Sequence, residues 1–266
     1  MILNDIIIQK RKDLEELKRR FPMHRLKEAV EHKPQSGRRA FDKALSNPKG
    51  LNLICEIKKA SPSEGLLREN FQPLRLASLY EFAGASALSV LTETHFFKGR
   101  PSYLKTIRQI TKLPILRKDF ILESYQLYET ALLEADAFLL IASLLTDQEL
   151  SELIHLGKSL GMHALVEVHS EDDLKKALDS GAEIIGINNR NLRTLKVNPN
   201  QAKKLIPKIP KGKTVVVESG LDNHDKLMEY KSIGVNAFLI GTAIMKAPDP
   251  VNMIQTLLGN PKKLSA

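Results

Sequence analysis

Short apolar runs recur along most of the chain, each bounded by polar or small residues. In order they are LNLICEI (51–57), SALSVL (86–91), LPIL (113–116), AFLLIA (137–142), HALVEV (163–168), AEIIGI (182–187), TVVVES (214–219) and NAFLIG (236–241). Short runs that are apolar on both faces and rich in aliphatic residues are typical of buried parallel strands. The pattern therefore predicts eight such strands.

Helix-like segments separate these runs. They are PLRLASLYEFAGA, SYLKTIRQIT, SYQLYETALLEA, DQELSELIHLGKSLG, SEDDLKKALDSG, NQAKKLIPKI and NHDKLMEYKSIG. Strict alternation of strand and helix indicates a parallel sheet, and eight units match a closed (β/α)₈ TIM barrel. An open doubly wound sheet is the alternative, but EIKKASPSEG follows the first strand where a G-x-G-x-x-G fingerprint would stand. We therefore predict an α/β fold with a single barrel domain over residues 1–266.

The first part of the chain does not follow this repeat. Residues 1–48 are predicted to form an extra N-terminal helical segment packed on the barrel. Its first helix is expected to start at about Asp5 with Asn4 as its N-cap, and its apolar positions are Ile7, Leu14, Leu17 and Phe21. The basic runs KRK (10–12) and KRR (18–20) are interpreted as a charged helix face in water, because no RNA-binding signature accompanies them.

Composition narrows the function classes. The formal net charge is +9, from 40 Lys and Arg against 31 Asp and Glu, which suits an anionic substrate or simply a basic surface. The single cysteine excludes an internal disulfide, and the histidines do not show a zinc-ligand spacing with it. We expect neither a metal nor a cofactor. The chain lacks an uncharged apolar stretch of the roughly 18 to 20 residues that a membrane span needs, so a cytoplasmic protein is expected.

Polar residues end most of the predicted strands, where a barrel carries its active site. They are Glu56 and Lys58, Lys118, Glu167, Asn188 and Arg190, Glu218 and Ser219, and Gly241 and Thr242. Since side chains alternate along a strand, Lys118 is expected to face the barrel interior and its neighbours Arg117 and Asp119 the surrounding helices. Cys55 is likewise predicted to face the helices.

This inventory indicates acid–base chemistry without a metal. Lysines and carboxylates that converge in a partly desolvated pocket are expected to shift one another's pKa values and to lower the pKa of one lysine toward neutrality. A Schiff-base lysine is an open alternative. Ser219-Gly220 and Gly241-Thr242 follow the last two strands, where many barrels bind phosphate.

Eight segments of the chain resemble indole-3-glycerol phosphate synthase, and the match runs in order from about Leu3 to Met253. They are CEIKKASPSEG, SVLTETHFFKG, PILRKDFI, ADAFLLIASLL, ALVEVHS, GINNRNLRTL, VVESGL and GVNAFLIGTAIM, and the most specific motifs are LRKDFI, GINNRNL and E-x-K-x-x-S-P-S. The resemblance implies ring closure of 1-(2-carboxyphenylamino)-1-deoxyribulose 5-phosphate to indole-3-glycerol phosphate, with loss of carbon dioxide and water. It also implies a barrel with an N-terminal helical segment.

The resemblance assigns roles to individual residues. Lys118 would be the general acid, Glu167 a proton donor or acceptor in later steps, and Glu56 the partner that orients Lys118. Lys58 would hold the anthranilate carboxylate, and Asn188 belongs to the catalytic set. The expected substrate-binding residues are Ser61, Phe97, Phe120, Arg190, Glu218 and Ser219. The expected phosphate-binding residues are Ser219, Gly220, Gly241 and Thr242.

Two departures from the family pattern concern the anion site: Glu64 stands where the family often has lysine, and Thr242 sits at a variable position. A glutamate beside an anionic ligand is expected to raise the Michaelis constant.

Two alternative functions are another sugar-phosphate barrel enzyme and a nucleic-acid-binding protein. The expected partner is a small substrate that carries a carboxylate and a phosphate, and we expect binding to neither nucleic acid nor a membrane. The expected oligomeric state is a monomer or weak homo-oligomer. The loop from Lys59 to Gln72 is a candidate lid.

Overall fold

The computed structural model describes residues 2–32, 38–48 and 50–260. Its centre is a closed barrel of eight parallel strands in sequential order, so the predicted (β/α)₈ architecture is confirmed. The strands are β1 (Asn52–Ile57), β2 (Ala87–Leu91), β3 (Ile115–Lys118), β4 (Ala137–Ile141), β5 (His163–Val168), β6 (Ile184–Asn188), β7 (Thr214–Glu218) and β8 (Ala237–Ile240). Each predicted apolar run contains or overlaps one of these strands.

The helices precede the barrel or lie between its strands. They are α1 (Ile2–Arg20), α2 (Met23–Glu31), α3 (Phe41–Ala44), α4 (Pro73–Ala83), α5 (Ser102–Arg108), α6 (Ser124–Leu132), α7 (Asp147–Ser159), α8 (Glu171–Asp179), α9 (Asn200–Leu205), α10 (His224–Ser232), α11 (Thr242–Lys246) and α12 (Pro250–Leu257), with 3₁₀ turns at Ala142–Leu144 and Ile206–Lys208. Among the described helices, none is both long enough and apolar enough to cross a membrane.

Two apolar layers follow from the alternation of side chains along the strands. One layer fills the barrel interior and includes Ile54, Leu116 and Leu239. The other lies between the strands and the helices and includes Cys55 and Phe138, so the outward orientation predicted for Cys55 is confirmed. Both layers are fully or almost fully buried, and they fix the directions in which the strand-end side chains project.

The N-terminal segment differs from its prediction in detail. Helix α1 begins at Ile2, so Asn4 lies inside the helix and does not cap it, while Met1 and residues 33–37 of the predicted 1–48 segment lie outside the described part. The buried residues of α1 are Ile6, Lys10 and Leu14, whereas Leu17 is exposed. The docked face is therefore an i, i+4, i+8 stripe that includes a lysine, and the interpretation of that lysine as solvated was wrong.

Candidate active site

The predicted site residues come together in one pocket at the carboxyl ends of the strands. Glu56, Lys58, Ser61, Phe97, Lys118, Phe120, Glu167, Asn188, Arg190, Glu218, Ser219, Gly220, Gly241 and Thr242 all line it. The β-barrel brings them together because parallel strands end at a shared rim. Their convergence is a structural finding, while the role of each residue remains a prediction.

Lys118 lies at the centre of the pocket between two carboxylates. Its ammonium Nζ donates to Glu167 Oε2 at 3.1 Å and to Glu218 Oε2 at 2.8 Å. These residues end or nearly end β3, β5 and β7, and their side chains are almost completely buried. The Lys118 ammonium is therefore held at a defined point of the pocket by two acidic partners.

The charge state of Lys118 departs from the expectation drawn from the sequence. Burial alone would lower the pKa of Lys118, but the carboxylates of Glu167 and Glu218 outweigh burial and raise that pKa above the ordinary lysine value. The expectation of a lowered pKa was wrong for this lysine, because the attraction of its acidic partners exceeds the effect of burial. A protonated ammonium can donate a proton, whereas only a neutral amine can act as a Schiff-base nucleophile.

The two carboxylates have different surroundings. Glu167 Oε1 accepts from Asn188 Nδ2 at 3.2 Å, while Glu218 Oε1 makes no hydrogen bond to any residue that the structure describes. Burial raises the pKa of Glu218 to about 7, with Lys118 opposing and Glu167 adding to the rise. Burial alone would raise the pKa of Glu167 too, but Lys118 and His169 outweigh it and bring that pKa below its ordinary value. Near neutral pH, Glu167 is thus ionised, whereas Glu218 is partly protonated.

A second ion pair stands at the end of β1. Lys58 Nζ lies 2.6 Å from Glu56 Oε2, so Glu56 contacts Lys58 directly and acts on Lys118 only at longer range. Gly241 makes room for this carboxylate, since a Cβ at that position would lie 2.2 Å from Glu56 Oε2. Gly241, which was expected only at the phosphate, therefore also has a packing role beside Glu56.

A buried network supports Lys118 from outside the barrel, as the alternation predicted. Asp119 accepts from Thr92 Oγ1 at 2.5 Å and from Arg117 Nη2 at 3.1 Å. Its other oxygen lies 2.8 Å from Lys10 Nζ of helix α1. Burial alone would raise the pKa of Asp119, but Lys10 and Arg117 lower it to about 2. The N-terminal helix is thereby tied to the residue that follows Lys118.

The pocket has an apolar side on which Phe97 and Phe120 lie, with ring centroids 6.1 Å apart. Helix α1 contributes Ile2, Leu3 and Ile6 to the same lining. Sequence reasoning missed these three residues because they precede the barrel by some fifty positions. Their only signal was the apolar cluster at the start of a helix.

The loops after β7 and β8 also contribute to the pocket lining. Ser219 and Gly220 both have positive φ, 67° and 75°, so the chain turns sharply after Glu218, and Thr242 begins the short helix α11. Arg190 contacts the same pocket while its Nη1 donates to Leu195 O at 2.8 Å. Glu64 pairs with Lys246 of α11 at 2.5 Å. The unusual glutamate is therefore neutralised by a neighbouring lysine.

Comparison with known proteins agrees with this geometry. The sequence model of indole-3-glycerol phosphate synthase matches residues 3–257. The chain belongs to the indole-3-glycerol phosphate synthase family. A relative from Sulfurimonas denitrificans named indole-3-glycerol phosphate synthase is 45% identical over 250 residues, covering 94% of this chain and 95% of the relative. One of the same name from Acetivibrio thermocellus is 46% identical over 251 residues, covering 93% and 95%.

Solved structures support the barrel itself. The 3-hexulose-6-phosphate synthase of Salmonella typhimurium matches with a TM-score of 0.61 at 14% identity, covering 79% of this chain and 97% of that one. KGPDC from Streptococcus mutans matches with a TM-score of 0.59 at 16% identity, covering 80% and 97%. At these identities the likeness concerns the fold alone. Family membership, by contrast, makes the chain a carboxy-lyase of tryptophan biosynthesis that acts on a small phosphorylated substrate.

Proposed function

We propose that the chain closes the indole ring of 1-(2-carboxyphenylamino)-1-deoxyribulose 5-phosphate with Lys118 as the general acid. The observation that carries this assignment is the buried ammonium held between Glu167 and Glu218. The ring carbon that bears the carboxylate attacks the ketone carbon, and a proton from Lys118 neutralises the developing alkoxide. Carbon dioxide then leaves, and its bonding electron pair returns to the ring.

Dehydration completes the reaction and needs both a proton donor and a proton acceptor. The hydroxyl made in the first step leaves as water after it is protonated, and a proton is lost from the five-membered ring. Glu167 is proposed as the acceptor because it is the ionised carboxylate of the pair. Glu218, whose pKa lies at about 7, is proposed to hold a proton close to Lys118. Asn188 orients Glu167 through its 3.2 Å hydrogen bond.

Substrate binding is assigned by charge and shape. Lys58 and Arg190 are proposed to hold the anthranilate carboxylate, with Ser61 at the edge of the same pocket. Phe97 and Phe120 are proposed to contact the aromatic ring, since both line the apolar side. The phosphate is proposed to bind at Ser219, Gly220, Gly241 and Thr242, which line the pocket from the loops after β7 and β8, where many barrels bind phosphate through backbone N–H groups.

The test is to follow the fluorescence of the indole product with the purified protein and two variants. Lys118→Met and Glu167→Gln are each expected to lose activity by a factor of about 1,000 or more while still binding the substrate. A Lys211→Met variant, in the exposed loop before β7, serves as a matched control and should keep full activity. Substantial turnover by Lys118→Met would contradict the assignment of the acid. Trapping of an imine by borohydride would instead favour Schiff-base chemistry.

The remaining expectations concern the state of the protein in the cell. We propose that the enzyme works in the cytoplasm. We propose also that it is a monomer or weak homo-oligomer, because one chain supplies every residue of the proposed site. Sedimentation at several protein concentrations tests this proposal. A stable dimer at the lowest concentration would contradict it.

A further inference from the structure

His169 lies beside the pocket residue Glu167 but is not among the residues that line the pocket. It follows β5 and shares a face with Glu167 two positions earlier. Its Nε2 lies 3.3 Å from Glu167 Oε1 and is buried. Within the described part of the chain, this nitrogen makes no well-aligned hydrogen bond. An imidazole nitrogen buried beside a single carboxylate oxygen needs an explanation, because leaving a polar group unpaired is costly.

The backbone of His169 is fixed from both sides. Its N–H donates to Asp173 Oδ2 of helix α8 at 3.0 Å, and its carbonyl accepts from Gln201 Nε2 of helix α9 at 2.7 Å. Ser170 next to it caps α8 by accepting from the Asp173 N–H. The backbone that carries the imidazole is therefore held by two helices, and the imidazole Nε2 lies 3.3 Å from Glu167 Oε1.

The position of His169 also distinguishes the two carboxylates that share Lys118. Glu167 Oε1 has two nitrogen neighbours, Asn188 Nδ2 and His169 Nε2, in addition to the lysine on Oε2. Glu218 Oε1 has no hydrogen bond to a described residue. The other charged groups that face this centre are Lys118 from β3 and, at longer range, Glu56 from β1. On α8, the acidic group nearest in the contacts is Asp173, which accepts from the backbone N–H of His169.

We propose that His169 is a positioning residue that keeps Glu167 oriented and ionised when Lys118 gives up its proton. This inference rests on the proposed function, in which Glu167 accepts a proton after Lys118 has acted. Once Lys118 is neutral, it no longer favours the charged form of Glu167, whereas the donor on His169 remains in place. Without that donor, Glu167 would take up a proton too early and could no longer serve as the acceptor.

Two substitutions separate the donor from the rest of the side chain. Glutamine carries an amide nitrogen at the same distance from the backbone as the imidazole Nε2, whereas asparagine is too short to reach Glu167. In His169→Asn the acidic limb of the kcat–pH profile is expected to move up by about one pH unit, giving about tenfold lower kcat near pH 6 and little change near pH 8.5. KM should stay within about twofold. His169→Gln should keep the profile of the parent.

Several results would overturn the inference. One is an unshifted profile in His169→Asn, and another is an equal loss at every pH in both variants, which would indicate a structural role only. If His169→Asn does not fold by circular dichroism, His169→Phe replaces it, since that variant keeps a ring and lacks the donor. Failure of the proposed function is recognised separately, because Glu167→Gln would then remain active at all pH values.

Discussion

The ion pair between Lys10 and Asp119 offers a direct test of how the N-terminal helix stabilises the site. The change is Lys10→Met, which keeps the length of the side chain and removes its charge. Lys10 is 7% exposed and Asp119 is 2% exposed, so the pair is shielded from water. The matched control is Lys12→Met, at an exposed position of the same helix.

The magnitude follows from what the substitution leaves behind. Removing one partner of a buried pair costs about 3–5 kcal/mol, because an uncompensated charge remains in the interior. Asp119 keeps Arg117, Thr92 and the N–H of Phe120, which places the expected loss near the lower end, about 3 kcal/mol. The pKa of Asp119, about 2 against an ordinary 3.8, corresponds to a similar stabilisation of about 2 kcal/mol. Lys12→Met should cost at most about 0.5 kcal/mol.

The assay is urea unfolding of the parent and both variants at several pH values. Because folding lowers the pKa of Asp119, its contribution is fully present above the unfolded value near 4 and is lost as the pH falls through about 2. The difference between parent and Lys10→Met should therefore be largest near neutrality and should shrink in acid. Equal losses for Lys10→Met and Lys12→Met at neutral pH would refute the reasoning.

Three further predictions concern the carboxylates and the loop after β1. Gly186→Ala would place a Cβ 2.6 Å from Glu218 Oε1, so displacement of Glu218 should lower kcat about tenfold or more in steady-state assays, and an unchanged kcat would contradict it. Because folding raises the pKa of Glu218, the stability that its carboxyl group contributes is fully present below about pH 4.5 and is lost as the pH rises through about 7. Between about pH 4.5 and 7, the free energy of unfolding of Glu218→Gln should therefore rise relative to that of the parent, as measured by urea titration. Glu64→Gln should release Lys246 and lower KM about threefold at low ionic strength, and a KM that does not change or that ignores salt would argue against it.

The positions of the proposed catalytic groups were predictable because they follow from topology. Parallel strands in a barrel end at one rim, so charged residues at the ends of apolar runs must meet there. Lys118 and Glu167 are of this kind, and so is the outward direction of Arg117, which follows from alternation alone. None of these inferences required knowledge of how a helix docks.

The partners of those groups were less predictable, because they depend on docking and on balances of charge. Lys10 meets Asp119 only because α1 places an i, i+4, i+8 stripe against the barrel, and a lysine within a basic run gives no sign of burial. The pairing of Glu56 with Lys58 and the raised pKa of Lys118 depend on distances that a pattern does not contain. His169 had one usable signal, its spacing of two from Glu167 on the same strand face.

The charge balance of the pocket links acid–base chemistry to substrate binding. Asp119 also lines the pocket but is paired with Lys10 and Arg117, which do not. With the other groups ionised, three carboxylates (Glu56, Glu167 and Glu218) face three cations (Lys58, Lys118 and Arg190), and their charges cancel. The proposed substrate brings a carboxylate and a phosphate, so a neutral pocket offers it little net attraction. A proton on Glu218 leaves one positive charge in excess, and the pKa of about 7 makes that proton available near neutrality. The same proton that relieves repulsion between Glu218 and Glu167 thus prepares the pocket for an anion, which gives one physical reason for burying a second carboxylate beside Lys118.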